Sequence, residues 1–297
     1  MNKENRLIAL YLLICDYFSD GLSDHFGRLS NNSSPLFTDE EVVTIYLFGL
    51  LEDQKFKLKD LHRYIQKYWL DWFPKLPTYS QFNKRVNRLA GVFPHLVQCI
   101  LNDSELEDVD WGTSLGDSMP IIMAQKSRSY TAKVALELCN RGYCSSKKLS
   151  YHGVKLHALA FRRPGKLPLP EFLKITPASE HDLTAMREIF PYLRDRQLFL
   201  DKAYCDQKLA EDLQRMARVT IHTPVKRKKG QADIGADGRL LSTAISRVRQ
   251  PIESFFNWLE VHTEIQYASR VRSTQGIQVH VFGRLAAAMI LFCLNIF

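Results

Sequence analysis

The sequence is short of the signals that would send it to an oxidising or membrane setting. Its six cysteines, at 15, 99, 139, 144, 205 and 293, are scattered, with no CxxC pair and no paired Cys/His spacing of the zinc-site kind. They read as reduced thiols, so neither a disulfide framework nor a structural zinc is expected. Long apolar runs are missing too. The stretch from Leu285 to Phe297 is the most apolar and follows Arg284; it falls well short of the ~20 residues that span a bilayer and reads as a buried core helix. Near the N-terminus, the mostly apolar Leu7–Cys15 stops at Asp16 without a small-residue cleavage site, so it reads as a helix and not a signal. Internal repeats and low-complexity tracts are absent. With no membrane partner expected and an apolar fraction of 45%, the chain is expected to fold around an ordinary core in the cytoplasm.

What is present is an excess of positive charge. Forty Lys and Arg against thirty-two Asp and Glu give a formal charge of +8 over 297 residues. An anionic polymer, nucleic acid first, is the partner such an excess favours; basicity for solubility alone gives the same number, so charge does not decide the matter.

From Asn2 to about Leu106 the pattern is helical. Thr38-Asp39-Glu40-Glu41 reads as a capping box opening a helix through Leu50, and Thr78-Tyr79-Ser80-Gln81 as a second. Behind the second box, Phe82, Val86 and Leu89 share a buried face and leave Lys84, Arg85 and Arg88 pointing elsewhere. Following a turn with Pro74 and Pro77, that basic face suits a helix-turn-helix reader of DNA. It equally suits an amphipathic helix with a solvated face.

After Leu106 the texture changes. Strands are expected at Ser114–Met123, Val154–Arg162, Phe172–Thr176, Gln197–Asp201 and Val219–Pro224, and helices at Asp182–Leu193, Gln207–Ala217 and Arg249–Val261. Three strands followed by strands alternating with helices predict an α/β fold with a mixed sheet and helices on both faces. Between the last strand and the last of these helices, a loop of more than twenty residues is expected, opening with the basic run Lys226, Arg227, Lys228 and Lys229 and loosened by Gly230, Gly235 and Gly238. A basic loop beside an acidic site suits DNA tracking; a solvated surface loop has the same composition.

Three acids sit where acids are disfavoured or conspicuous. Asp117 lies within the strand-like LGDSMPIIMA, and Asp201 ends LFLDKAY, although Asp is depleted from strands and costly to bury. A hard divalent cation is one reason for such placement, because Mg²⁺ takes carboxylate oxygens together with water and phosphate. A capped turn, or a pair with a neighbour such as Lys202, is the plainer one for either Asp alone. Glu253 falls in RVRQPIESFFNWLEV, whose apolar stripe Ile252, Phe255, Phe256 and Leu259 predicts a helix beginning near Pro251. That start would put Glu253 in the first turn, where the helix dipole favours a carboxylate. Arg249, four residues earlier, is within reach of Glu253 or of a phosphate.

The order of these pieces resembles the DDE transposases of bacterial insertion sequences, the IS982 family in particular, over most of the chain. The resemblance rests on Gly116-Asp117-Ser118-Met119-Pro120, Arg141-Gly142-Tyr143-Cys144, Tyr151-His152-Gly153-Val154-Lys155-Leu156-His157, Leu200-Asp201-Lys202-Ala203-Tyr204, and Arg249, Ile252, Glu253 and Phe256. It implies a ribonuclease-H-like catalytic domain over 107–297 behind a helical DNA-binding region over 1–106. It further implies a triad of Asp117, Asp201 and Glu253 holding two Mg²⁺ ions, with Mn²⁺ able to substitute. The reaction implied is cleavage at the element's terminal inverted repeats, which releases a 3′-hydroxyl, followed by attack of that hydroxyl on target DNA. A homodimer or larger synaptic complex, associated with the nucleoid, goes with it. Related enzymes carry a Tyr, Arg, Glu and Lys signature on the Glu helix; here Arg249 and Glu253 keep their spacing while Ser246 and Glu260 occupy the Tyr and Lys positions. Lys155 and His157 share one face of the second core strand, a place for contacts beside the scissile phosphate or for a structural histidine. A ribonuclease-H-like nuclease that cuts without joining, and a DNA-binding regulator, are the alternatives.

Overall fold

In a computed structural model of the chain, the residues described are 2–22, 35–145, 147–226, 233–294 and 296. Arg227, Lys228 and Lys229 lie outside them. Among the described residues five helices precede the first strand: α1 (Lys3–Ser19), α2 (Asp39–Asp53), α3 (Leu58–Tyr68), α4 (Tyr79–Arg88) and α5 (Val92–Asn102). Their starts follow local chemistry. The Asn2 side chain accepts the Asn5 N–H at 2.8 Å at the head of α1. At α2, Thr38 Oγ1 accepts the Glu41 N–H at 3.2 Å while Glu41 returns a carboxylate to the Thr38 N–H at 2.5 Å, so two otherwise orphaned donors are satisfied. Every residue of α2 from Val42 to Leu50 is buried, which makes it the central helix of its unit. At α4 the Gln81 side chain accepts the Thr78 N–H at 3.2 Å, and Phe82 and Val86 are buried as their spacing predicts.

The second stretch begins with β1 (Asp110–Gln125), a short helix α6 (Arg128–Thr131), β2 (Asn140–Cys144), β3 (Leu149–Arg162) and β4 (Leu169–Pro177). It continues through α7 (Asp182–Met186), β5 (Arg196–Phe199), α8 (Gln207–Ala217), β6 (Val219–His222) and α9 (Gly235–Thr263). The strands form one mixed sheet in the order β2-β3-β1-β5-β6, with β4 also paired to β3. β1 is antiparallel to β3 and parallel to β5, and β5 is parallel to β6. β2 and β4 share the outer edge of β3 end to end, β2 along Leu149–Gly153 and β4 along Val154–Phe161.

Two of the glycines are required by proximity. A Cβ on Gly153 would lie 2.0 Å from the Ile121 carbonyl oxygen, and one on Gly116 would lie 2.4 Å from Leu200 Cδ2. Gly116 therefore faces the apolar layer formed by Leu159, Met186, Phe190, Leu198, Leu200, Tyr204 and Leu213. Because side chains alternate along a strand, its neighbour Asp117 faces the opposite side.

Three expectations need correction. β2 was not foreseen. The helix expected over Asp182–Leu193 stops at Met186 and gives way to a 3-10 turn at Phe190–Tyr192, where Pro191 disfavours an α conformation in the residue before it. The long loop ahead of Glu253 is largely helix: α9 begins at Gly235, and Pro251 lies inside it. A proline there forfeits the bond to the carbonyl four residues back and costs roughly 3 kcal/mol. The helix persists because its buried stripe starts earlier than expected, at Ile245, and continues through Ile252, Phe255, Phe256 and Leu259. Glu253 is consequently well inside α9, beyond reach of the N-terminal dipole.

The chain ends in α10 (Thr274–Gln278), a π-helical turn (Val279–Gly283) and α11 (Arg284–Cys293). Two compact units result: Met1–Glu105 with Leu259–Phe297, and Leu106–Trp258. The C-terminal segment groups with the helical unit. Specific bonds tie it there. Tyr46 donates its hydroxyl to the Val279 carbonyl at 3.2 Å, and Arg284 donates to the carbonyls of Phe56, at 3.0 Å, and Thr263. Leu285 to Ile290 are buried, as the core-helix reading of this stretch requires.

Gly153→Ala should destabilise the protein by about 2–4 kcal/mol, since a backbone carbonyl on the next strand cannot step aside. Gly112→Ala, whose Cβ would meet nothing nearer than 3.5 Å, should stay within about 0.5–1 kcal/mol of wild type. Urea unfolding of both variants beside wild type checks the pair.

Candidate active site

The sheet register brings two of the three acids together. β1 and β5 run parallel with Leu115 opposite Phe199, so two residues further along Asp117 and Asp201 stand level, on the same face by alternation. β5 ends at Phe199, and Asp201 heads a 3-10 turn, its carbonyl accepting the Tyr204 N–H at 3.0 Å. The third acid arrives on α9. Arg249, one helical turn before Glu253, donates to Asp117 Oδ2 at 2.5 Å and to Glu253 Oε1 at 2.7 Å. Its side chain is 11% exposed and its Nε is buried without a partner. Glu253 is much more open, at 56%.

The electrostatics follow from burial. Desolvation pushes the Asp117 carboxyl from 3.8 up to about 6; Arg249 and the Ser118 N–H, bonded at 2.8 Å, pull it down, and the nearby Asp201 charge pushes it up again. Burial would lower Arg249, but the charges of Asp117, Glu253 and Asp201 hold it above its ordinary value. Tyr204 is fully buried with its hydroxyl unpartnered, and burial, aided by Asp182, Asp117 and Asp201, raises it well above the usual phenol.

The donor set suits a hard divalent cation: the three acids offer oxygen alone, which is what Mg²⁺ prefers. One positive charge is already held among them, on Arg249, so the acids do require a cation at this place. Among the described residues no three His, Cys, Asp or Glu side chains converge as a ready metal cage; Asp117 and Glu253 are instead joined through the guanidinium.

The remaining expected site residues fall into three groups. Lys155 and His157 lie on the face of the sheet opposite Asp117, opposite Pro120 and Ser118 in register. Lys155 donates to Asp182 Oδ1 at 2.8 Å, as does the Ser118 hydroxyl at 3.1 Å. His157 is completely buried, bonds Thr176 Oγ1 at 2.8 Å, and is pushed down to about 4 by desolvation, against the pull of Asp182. It is placed as a neutral structural histidine, out of reach of any nucleic acid in this arrangement. On α4, Arg85 donates to Asp39 at 2.5 Å and to the Phe37 carbonyl at 2.6 Å, and Arg88 donates to Asp39 at 3.1 Å. Two of the three cations of the basic face are therefore used inside the helical unit; Lys84 is exposed, and so is Lys226. Asp182 was missed as a partner for this neighbourhood. Its sequence signal, an acid at a helix start after His181, is indistinguishable from an ordinary N-terminal acid.

With this geometry in view, comparison with known families is informative. A family model described as "Transposase DDE domain" matches residues 109–274, more than half of the chain, and covers β1, β5 and α9 together with all three acids. The chain belongs to the DDE-domain transposases, a family whose substrate is DNA. No curated protein and no solved structure matches it.

Since the folded-state value of Asp117 lies above its unfolded one, the native protein binds the extra proton between about pH 4 and 6, and stability falls as pH rises through that window. Asp117→Asn cannot ionise. In EDTA its thermal midpoint should rise relative to wild type between pH 4 and pH 7, by the equivalent of ~1–2 kcal/mol. Melting both proteins at four pH values reads the difference directly; a constant offset would mean that Asp117 ionises in the ordinary carboxylate range.

Proposed function

We propose that this chain is a transposase of the IS982 group, with a ribonuclease-H-like catalytic unit that cleaves insertion-sequence ends and joins them to target DNA. The observation that carries the reading is the level placement of Asp117 on β1 and Asp201 just past the end of the parallel neighbour β5, with Glu253 brought to Asp117 through Arg249. The sheet supports the fold assignment: β3 is antiparallel to both β4 and β1, and β1 continues into the parallel strands β5 and β6, with Asp117 in the middle of β1 and Asp201 two residues past the end of β5.

Asp117, Asp201 and Glu253 would hold two Mg²⁺ or Mn²⁺ ions. Bound there, such ions supply Lewis acidity at the scissile phosphate and stabilise the attacking and leaving oxygens. The chain's own residues do the rest. The strand pair fixes Asp117 and Asp201 against the apolar layer beneath Gly116 and Leu200, and α9 carries Glu253 and a cation to the same place. Arg249 can offer its guanidinium to a phosphate in bidentate fashion. Lys84 and Lys226 add exposed positive charge for the DNA backbone, while Arg85, Arg88 and Lys155 would first have to leave Asp39 and Asp182. The helical region up to residue 106 serves DNA binding, and synapsis of two ends calls for a dimer or larger assembly.

The purified protein, given a labelled duplex carrying its element's terminal repeat and a target plasmid, should yield end cleavage and joined products with Mg²⁺ or Mn²⁺ and neither with EDTA. Asp201→Ala should lose both while still shifting the duplex in a gel. Cleavage without joining would replace the transposase by a nuclease, and binding without cleavage under any metal would replace it by a regulator.

A further inference from the structure

Arg249 differs from the other arginines of the catalytic unit in what it joins. Arg196, for comparison, pairs with one acid, Glu171, through both carboxylate oxygens at 2.7 and 2.8 Å, which is an ordinary half-buried ion pair. Arg249 divides its two terminal nitrogens between two acids from different elements, Asp117 on β1 and Glu253 on α9, and is also within electrostatic range of Asp201. The Nε is left buried and unsatisfied. The three acids it touches or neighbours are the three that the family chemistry would assign to divalent ions.

We propose that the Arg249 guanidinium is an internal stand-in for the divalent cation: it neutralises the triad when no metal is bound, and metal loading requires it to release Asp117. This rests on the proposed two-metal reading of the same acids. The physical argument is one of competition. Asp117 Oδ2 cannot give its lone pairs to a guanidinium at 2.5 Å and to a hard ion at ~2.1 Å with full strength, and a cation held among the acids repels a second one. Arg249 thus lowers the metal affinity of the free protein, and once displaced it is a loose guanidinium one helical turn from Glu253, where a DNA phosphate can take it. Metal loading is thereby disfavoured in the protein alone and favoured when a phosphate is present to receive the arginine.

The competing view, in which Arg249 merely holds α9 against β1, makes the opposite prediction for the free protein. Mn²⁺ binding to the DNA-free, full-length chain should be measured by calorimetry and by the loss of the free-ion electron paramagnetic resonance signal, for wild type, Arg249→Met and Arg249→Lys. Circular dichroism establishes that each variant is folded. Arg249→Met should bind Mn²⁺ about tenfold tighter than wild type or more, the factor that matches a competitor worth about 1.4 kcal/mol. Arg249→Lys, which keeps the charge but cannot divide it between two acids in the same way, should fall between them. Equal or weaker binding by Arg249→Met overturns the stand-in and leaves the two-metal site standing. No Mn²⁺ binding by any of the three at millimolar concentration, or binding that survives in Asp117→Asn with Asp201→Asn, overturns the two-metal reading itself and the stand-in with it. Should Arg249→Met fail to fold, Arg249→Lys alone decides, since a structural brace predicts no gain from it.

Discussion

Carboxylates on neighbouring strands repel, and burying one of them makes the repulsion and the desolvation add. That constraint organises the catalytic unit. Asp117 and Asp201 are level because β1 and β5 are parallel and in register, and the register is in turn held by an apolar layer on the other side of the sheet. With no counter-charge the arrangement would relax by protonation or by movement, and Asp117 already shows the first tendency in its raised pKa. A single guanidinium on α9 supplies the counter-charge and, in doing so, ties the helix that carries Glu253 to the strand that carries Asp117.

The same economy appears beneath the sheet. Lys155, Ser118 and Asp182 form a compact polar group on the far face, next to a neutral His157 bonded to Thr176. Ser118, Lys155 and His157 belong to strands that also contribute to the acid-bearing face, since residues of one strand alternate between faces. The face opposite Asp117 therefore carries a polar group of its own, in which His157 Nδ1 is left without a hydrogen-bond partner.

Much of this was legible in the sequence, and the failures have identifiable causes. The strand carrying Asp117, and the one that ends two residues short of Asp201, announced themselves because an acid in or beside an apolar β-rich run is costly and stands out. α8 was legible at both ends because Asp206 caps it and Leu213 and Ala217 bury one face. β2 was invisible because Asn140–Cys144 is polar and at most half-buried, held by the backbone ladder to β3 and not by apolar side chains. The extent of α9 is hidden because Pro251 reads as a helix start, a local rule that the buried stripe reaching back to Ile245 overrides. Most instructive is α4: its amphipathic pattern was right, but whether a basic face is free depends on partners far away in sequence. Arg85 and Arg88 meet Asp39 nearly fifty positions earlier, which no periodicity reveals. For the same reason periodicity does not reveal where the C-terminal segment packs, because Val279 and Arg284 are bound to Tyr46 and Phe56 by contacts that only folding creates.

β3 gives its outer edge to two partners in succession, and that arrangement bears on how copies of this chain can meet. β2 and β6 are only a few residues long, and the longest outer strand, β4, carries Pro170 and Pro177 near its two ends and Lys174 between them. Prolines withhold ladder donors and a lysine resists being covered, so these edges make poor templates for strand addition. Copies of the chain at high local concentration are thus guarded against fusing into a continuous sheet through these edges.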